Sequence, residues 1–311
     1  VTRITHVKVG SRASALALRQ ADMAVAALKR AHPGVTFEIV QFTTKGDRDL
    51  DHSLPEIGGK GVFTEELERS LLAGEISVAV HSLKDLPTEQ SPGLEVAAVL
   101  ERADPGDVLV SRSHRPLADL PPSPAVGTSS TRRAAQIASL RPDVRLLELR
   151  GNVPTRVKKA LAADGPYDAI VLAAAGLDRL GLSPAISERF TPDRLLPAPG
   201  QGAIALQCRA EDPVATVVAT VNHEATWAAV TAERAFLAGL GGGCAAPVAA
   251  YARLDGGTLV LQGLVASGDG KQVLRFETAG APSAATQLGH AMATEALAAG
   301  AAALMPARTV L

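Results

Sequence analysis

The sequence predicts an α/β protein that closes with a small α+β segment. Three observations carry this. Short apolar or alternating runs lead into helical periodicity twice along the chain. The Pro- and Gly-rich LLPAPGQGA then breaks the series. From Asn222 onward one long helical pattern precedes three strand-like segments and an Ala-rich helix. A length of 311 residues favours two or three cores over one.

THVKVG alternates as a strand and enters SRASALALRQADMAVAALKRAHPG, a helical pattern closed by Pro33 and Gly34. VTFEIVQF alternates as a second strand, FTEELERSLLAGE reads as a helix, and ISVAVH as a buried strand ending in SLKDLP. After the turn-rich ADPGD come DVLVS as a strand, PAVGTSS as a strand into a loop, TRRAAQIASL as a helix, and VRLLELR and YDAIVLAAAG as strands. AIALQCR reads as a strand returning to the first domain. EATWAAVTAERAFLAGL is then a helix, followed by GGGC, the strand-like APVAAYARL, GTLVLQGLVAS and QVLRFET, and a helix from about Ser283 as its N-cap. The expected domains are residues 1–102 with 200–219, residues 103–199, and residues 220–311.

Lys plus Arg number 31 against 32 Asp plus Glu, a net charge of -1, which excludes a chain that coats nucleic acid by global charge. With 47% hydrophobic and 20% charged residues the composition is that of a folded protein, not a collagen-like or disordered one. Aromatic residues are only 3%, so Ala, Val, Leu and Ile fill the cores, and ligands are expected to be held by charge and backbone rather than by stacking. Two cysteines, Cys208 and Cys244, make neither a disulfide framework nor a cysteine-rich zinc module. With no run of ~20 apolar residues and no secretory h-region, the expectation is a cytoplasmic protein without membrane or nucleic-acid partners.

The junctions VGSRASALA and VGTSSTRRAAQ place Ser11, Arg12 and Ser14, and Thr128, Ser129, Ser130, Arg132 and Arg133, beside the free N–H groups of a helix start. Ser14 and Ser130 serve either as N-caps or as anion donors; firm anion binding needs the paired arginines as well. In LRGNVPTRVKK, Arg150 ends a strand and Arg156 lies just inside the next helix, either at the same cleft as Arg132 or on an exposed helix start. GGKGVF lacks the full phosphate-loop pattern, so the stretch from Asp47 to Val62 reads as a mobile cover for a cleft. VAVHSLKDLPT puts His81, Ser82, Lys84 and Asp85 at the C-terminal end of a buried strand, where Asp85 is either an acid-base group or half of a surface pair with Lys84. No convincing third ligand accompanies His81 and Asp85, so no metal is expected. In LGGGCAAP three glycines present one thiol: Cys244 is either a small buried residue after a helix or a nucleophile or attachment point.

As a set, GSRASALAL, TKGD, GGKGVFTEELE, AVHSLKDLPT, GTSSTRRAAQ, LRGNVPTR, AAAGLDRLG, LPAPGQGAIALQCR, TAERAFL and GGCAAPVAAYA resemble, in order and over almost the whole chain, the porphobilinogen deaminase (hydroxymethylbilane synthase) family. The resemblance implies two α/β domains like those of periplasmic binding proteins and a third, smaller domain whose loop cysteine carries a dipyrromethane cofactor through a thioether. Cys244 matches the attachment cysteine and Asp85 the catalytic aspartate. The carboxylate-binding set falls on Arg12, Ser14, Ser82, Lys84, Thr128, Ser130, Arg132, Arg133, Arg150 and Arg156, with Arg179 of GLDRLG as a further substrate arginine. Lys60 and Phe63 fall in the segment that covers the site. Ala245, Ala246 and Ala249 depart from the bulkier or glycine residues common around the cysteine loop.

The implied reaction deaminates four porphobilinogen molecules and joins them on the cofactor, releasing a linear tetrapyrrole from a monomeric enzyme. Like charges ~4 Å apart repel by ~4 kcal/mol at an effective dielectric of 20, so gathering a polycarboxylate demands fixed cations. Positive charge on the pyrrole nitrogen demands one nearby carboxylate, for which Asp85 is the candidate. Two other classes compete: a non-catalytic anion receptor, which leaves GGGC without a purpose, and an acyl-transferring cysteine enzyme, which needs a histidine base for Cys244.

Overall fold

The computed structural model describes residues 4–44, 64–241 and 246–305. Four strands come first: β1 (His6–Arg12), β2 (Thr36–Phe42), β3 (Val78–Ser82) and β4 (Leu94–Val99). A second group follows: β5 (Asp107–Ser111), β6 (Ala125–Gly127), β7 (Arg145–Leu147), β8 (Ala169–Ala173) and β9 (Glu188–Arg189). The chain then forms β10 (Ile204–Arg209) and a last trio, β11 (Val248–Asp255), β12 (Thr258–Ala266) and β13 (Val273–Gly280). These residues form two compact units, Val1–Ala103 with Gly202–Trp227, and Asp104–Gln201 with Ala228–Leu311.

The first unit holds a five-stranded sheet in the order β2-β1-β3-β10-β4. β2, β1 and β3 run parallel; β10 lies antiparallel between β3 and β4. Its central strands are buried on both faces, so VAVHS and IALQCR read as apolar runs instead of alternating. Ala21, Ala24, Val25 and Leu28 of the helix Ala15–Ala31 cover Val7, Val9, Val78 and Val80 on one face. Leu67 and Leu71 of the helix Glu65–Leu72 pack with Ile76, Ala79 and Leu94 in a second cluster. That cluster presses on Gly10, where a Cβ would stand 2.4 Å from Ile76 Cδ1 and 2.9 Å from Leu67 Cδ2. Only glycine admits that approach.

The second unit repeats the arrangement. Its sheet runs β7-β6-β8-β5-β9, with β7, β6 and β8 parallel and β5 antiparallel to both neighbours. The same unit contains the antiparallel sheet β11-β12-β13. One face of that sheet packs Leu259, Leu261 and Val265 against Phe236 and Met292 of the helices Glu224–Gly239 and Ala285–Ala298. The other face sets Ala249, Leu264 and Ala266 against Ala135 and Leu196. The turn between β12 and β13 rests on the helix Thr131–Leu140 through Gly270, at φ +71°, whose Cβ would lie 2.2 Å from the Ala135 carbonyl oxygen. Glu233 is fully buried, and its carboxylate accepts from the Gly200 and Ala252 amides, both at 2.7 Å, tying helix, linker and β11 together.

Several elements differ from the local pattern. VRLLELR pairs only over Arg145–Leu147, because its neighbour β6 is itself three residues long. YDAIVLAAAG leaves the sheet at Ala173, and Ala174–Arg179 turns into a short helix. Leu94–Val99, which lacks clear alternation, adds an edge strand. The last long helix starts at Ala285 with Ala284 as its N-cap, not Ser283, because a 3-10 turn over Pro282–Ala284 runs straight into it. No helix among the described residues is long and apolar enough to cross a membrane.

Candidate active site

In the first unit the parallel strands β1 and β3 are neighbours, so their C-terminal ends leave the sheet on one edge, where the strand order switches direction. Arg12 ends β1 and Ser82 ends β3; Lys84 and Asp85 follow in a 3-10 turn, Leu83–Asp85. All four are half-buried. Ser14 is the N-cap of the next helix, its hydroxyl accepting from the Ala17 amide at 3.4 Å. The side-chain amide of Gln20, from that helix, holds the Ser82 hydroxyl, with Nε2 at 2.9 Å and Oε1 at 3.2 Å from Oγ.

His81 does not join this edge chemically. It is buried, and its Nε2 lies 3.0 Å from Gln207 Oε1. Gln207 Nε2 donates to Glu68 Oε1 at 3.0 Å, so Gln207 Oε1 is the acceptor and His81 carries its proton on Nε2. Burial pulls the imidazole down to about 4 against a smaller upward effect of the Gln207 bond, with nearby Arg12 lowering it further. His81 is a neutral structural histidine at pH 7, which leaves Asp85 as the carboxylate of the motif.

In the second unit β6, β7 and β8 send their C-terminal connections from one edge. Thr128 Oγ1 accepts from the Ser130 amide at 3.2 Å, and Ser130 caps the helix Thr131–Leu140 by accepting from the Arg133 amide at 3.4 Å. Ser129 Oγ donates to the Leu149 carbonyl, which draws the segment bearing Arg150 towards the segment after β6. Arg150 lies beyond β7 instead of ending it. Asn152 caps the helix Val153–Leu161, and Arg156 Nε donates to the Gly151 carbonyl at 2.6 Å. Arg179 ends the helix Ala174–Arg179, and burial lowers its pKa.

Arg132 and Arg133 are buried, as is Asp107, the first residue of β5. Arg132 Nη1 lies 2.7 Å from Asp107 Oδ2 and donates to the Leu196 carbonyl at 2.6 Å. Arg133 donates to Oδ1 through Nε at 2.9 Å and Nη2 at 2.6 Å. Burial alone would raise the Asp107 carboxyl, but the two guanidinium groups hold it well below the usual carboxylate range. Two guanidinium charges against one carboxylate leave one net positive charge in a setting of low dielectric, suited to an anionic ligand. Local patterning does not point to Asp107 or Gln20; the one visible signal is an acidic residue opening the otherwise apolar DVLV.

Lys60, Phe63, Cys244 and the stretch from Asp47 to Val62 lie outside the described residues. Cys208 is fully buried in β10, and burial pushes its thiol up to about 12, so it is an unreactive core residue.

Comparison with known proteins agrees along the chain. Residues 7–216 match the family described as porphobilinogen deaminase, dipyromethane cofactor binding domain, and residues 227–298 match porphobilinogen deaminase, C-terminal domain. The porphobilinogen deaminase of Roseiflexus sp. (strain RS-1) is 50% identical over 298 residues, 96% of this chain and 97% of that protein. That of Moorella thermoacetica is 50% identical over 297 residues, 95% and 94% of the two chains. Among solved structures, the methionine binding protein MetQ matches with a TM-score of 0.41 and 13% identity, covering 70% of this chain and 89% of that one. With both domain families matched in order, and half of all residues shared over nearly the full length of its relatives, the chain belongs to the porphobilinogen deaminase family.

Proposed function

We propose that the chain deaminates four porphobilinogen molecules and joins them head to tail on a dipyrromethane held through Cys244, releasing hydroxymethylbilane and ammonia for tetrapyrrole biosynthesis. The observation that carries this reading is the match to both family domains over residues 7–216 and 227–298. The residues suit the cofactor: a dipyrromethane bears acetate and propionate groups, and the buried Arg132, Arg133 and Asp107 cluster retains one positive charge. When bound, the cofactor supplies a free pyrrole α-carbon as nucleophile and a primer that stays on the enzyme.

The chain's own residues divide the remaining work. Arg12, Lys84, Arg132, Arg133, Arg150, Arg156 and Arg179 bind carboxylate side chains, and Ser14, Ser82, Thr128 and Ser130 donate or relay hydrogen bonds to them. Lys84, Ser82, Thr128, Ser130, Arg132 and Arg133 hold the cofactor, and the others hold the incoming substrate. Asp85 stabilises the positive charge that appears on pyrrole nitrogen as ammonia leaves, and takes up a proton after each C–C bond forms. Lys60 and Phe63 belong to the segment that shields the site from water. The enzyme acts as a cytoplasmic monomer with three domains, residues 1–102 with 200–219, 103–199 and 220–311. Three separate sheets among the described residues support that division.

The test is to incubate the purified chain with porphobilinogen, follow hydroxymethylbilane and ammonia release, and weigh the denatured chain. Turnover with a two-pyrrole adduct is expected. A chain that binds porphobilinogen but neither carries an adduct nor releases ammonia would instead be an anion receptor.

A further inference from the structure

Asp107 stands outside every motif that carries the proposed chemistry, yet it touches two of the residues assigned to the cofactor. It opens β5, opposite Ala173 of β8 in the sheet, so its backbone is fixed. Oδ2 takes Arg132 Nη1; Oδ1 takes Arg133 Nε, Arg133 Nη2 and Gln201 Nε2, the last at 2.9 Å. Gln201 is itself clamped, donating to the Pro105 carbonyl at 2.7 Å and accepting from Arg133 Nη2 at 3.3 Å. Both carboxylate oxygens are therefore engaged by fixed donors.

We propose that Asp107 is a positioning residue: by bridging Arg132 and Arg133 it fixes both guanidinium planes, and so sets how firmly the chain holds the carboxylates of its polypyrrole ligand. The inference rests on the reading of those two arginines as carboxylate-binding residues. Two guanidinium groups on successive residues of one helical turn repel each other in a buried setting and are repelled further by the positive end of their helix. A carboxylate shared between them removes that repulsion and, because a guanidinium donates through a rigid fork, aligns each plane. The net charge of the cluster is left positive, so its counter-ion does not saturate it.

The experiment compares Asp107→Glu, which keeps the charge but moves the carboxylate by one methylene, with Asp107→Asn, which keeps the shape but loses the charge. Arg132→Lys and Arg133→Lys are measured alongside. Folding is checked by circular dichroism, cofactor loading by denatured mass, and KM and kcat are taken per loaded chain. Both Asp107 variants are expected to load fewer than half of their chains, while KM and kcat per loaded chain each change less than threefold. If the Asn variant does not fold, the Glu variant carries the test. Folded Asp107 variants with parental loading, even at a lower Tm, overturn the proposal, because a merely structural residue behaves that way. If the lysine variants are impaired while the Asp107 variants are not, only the positioning role fails. If the lysine variants load and turn over like the parent, the carboxylate-site reading fails and takes this inference with it.

Discussion

Asp107 and Arg133 form a forked ion pair in which one carboxylate oxygen accepts from both Nε and Nη2 of the guanidinium, at 2.9 and 2.6 Å, with the carboxylate fully buried. Arg132 occupies the other oxygen. The stability of the cluster and the proposed binding of carboxylates therefore involve the same three side chains, and the consequences are measurable separately.

Replacing both Arg132 and Arg133 with Leu leaves the Asp107 charge buried without a cationic partner, at a cost of about 3–5 kcal/mol at neutral pH. In the parent the carboxyl titrates below its ordinary 3.8, so its contribution is present above that pH and is lost as pH falls further. In the double variant the two guanidinium charges are gone and burial raises the folded value, so the deficit is largest at pH 7 and shrinks towards pH 4. Urea midpoints at pH 7 and 4.5 read this; a gap that fails to narrow on acidification contradicts the pairing. The variant should also carry no dipyrromethane by denatured mass.

His81 gives a second pH effect in a different window. Its ordinary value of 6.5 falls to about 4 in the folded chain, chiefly through burial. Above pH 6.5 both folded and unfolded forms are neutral and stability is complete; as pH falls from 6.5 towards 4 only the unfolded chain takes up the proton, and about 3 kcal/mol is lost. His81→Gln should flatten the fall in urea midpoint between pH 7.5 and 4.5. An equally steep fall in the variant assigns the titration to another group.

Asp85→Asn keeps the size of the side chain but removes both the negative charge and useful proton exchange. Turnover should fall by roughly 10²–10⁴-fold with the fold and the attached cofactor intact. A near-parental rate in a folded, loaded variant moves the catalytic role to another carboxylate.

The two cysteines should behave in opposite ways. Cys244→Ser should fold and carry no pyrrole adduct, because a serine hydroxyl is far less ionised and less nucleophilic than a thiol near neutral pH. Cys208→Ser should keep cofactor and activity while losing about 1–3 kcal/mol of stability, since it buries a hydroxyl in an apolar core. Denatured masses and an acidic aldehyde stain for pyrroles distinguish them; an adduct on the Cys244→Ser chain would show that the wrong sulfur has been chosen.

Local sequence determined the parts of this protein that depend on near neighbours. TRRAAQIASL is a helix over Thr131–Leu140 with Ser130 as its cap, and DVLVS is a strand over Asp107–Ser111, because periodicity and capping act within a few residues. The ordered motifs fall at the ends of β1 and β3 and at the junction after β6. Tertiary structure alone decided which partners those residues meet. Asp107 lies 26 positions from Arg133, and no local period links them; they meet because β5 lies two strands from β6 with β8 between, which brings the start of one element under the helix that follows another. His81 is 126 positions from Gln207, and only the insertion of β10 beside β3 makes the imidazole a neutral core group instead of part of the site. Helix and strand follow from rotations about neighbouring bonds, whereas the charge state and partner of a buried side chain follow from what the fold packs around it.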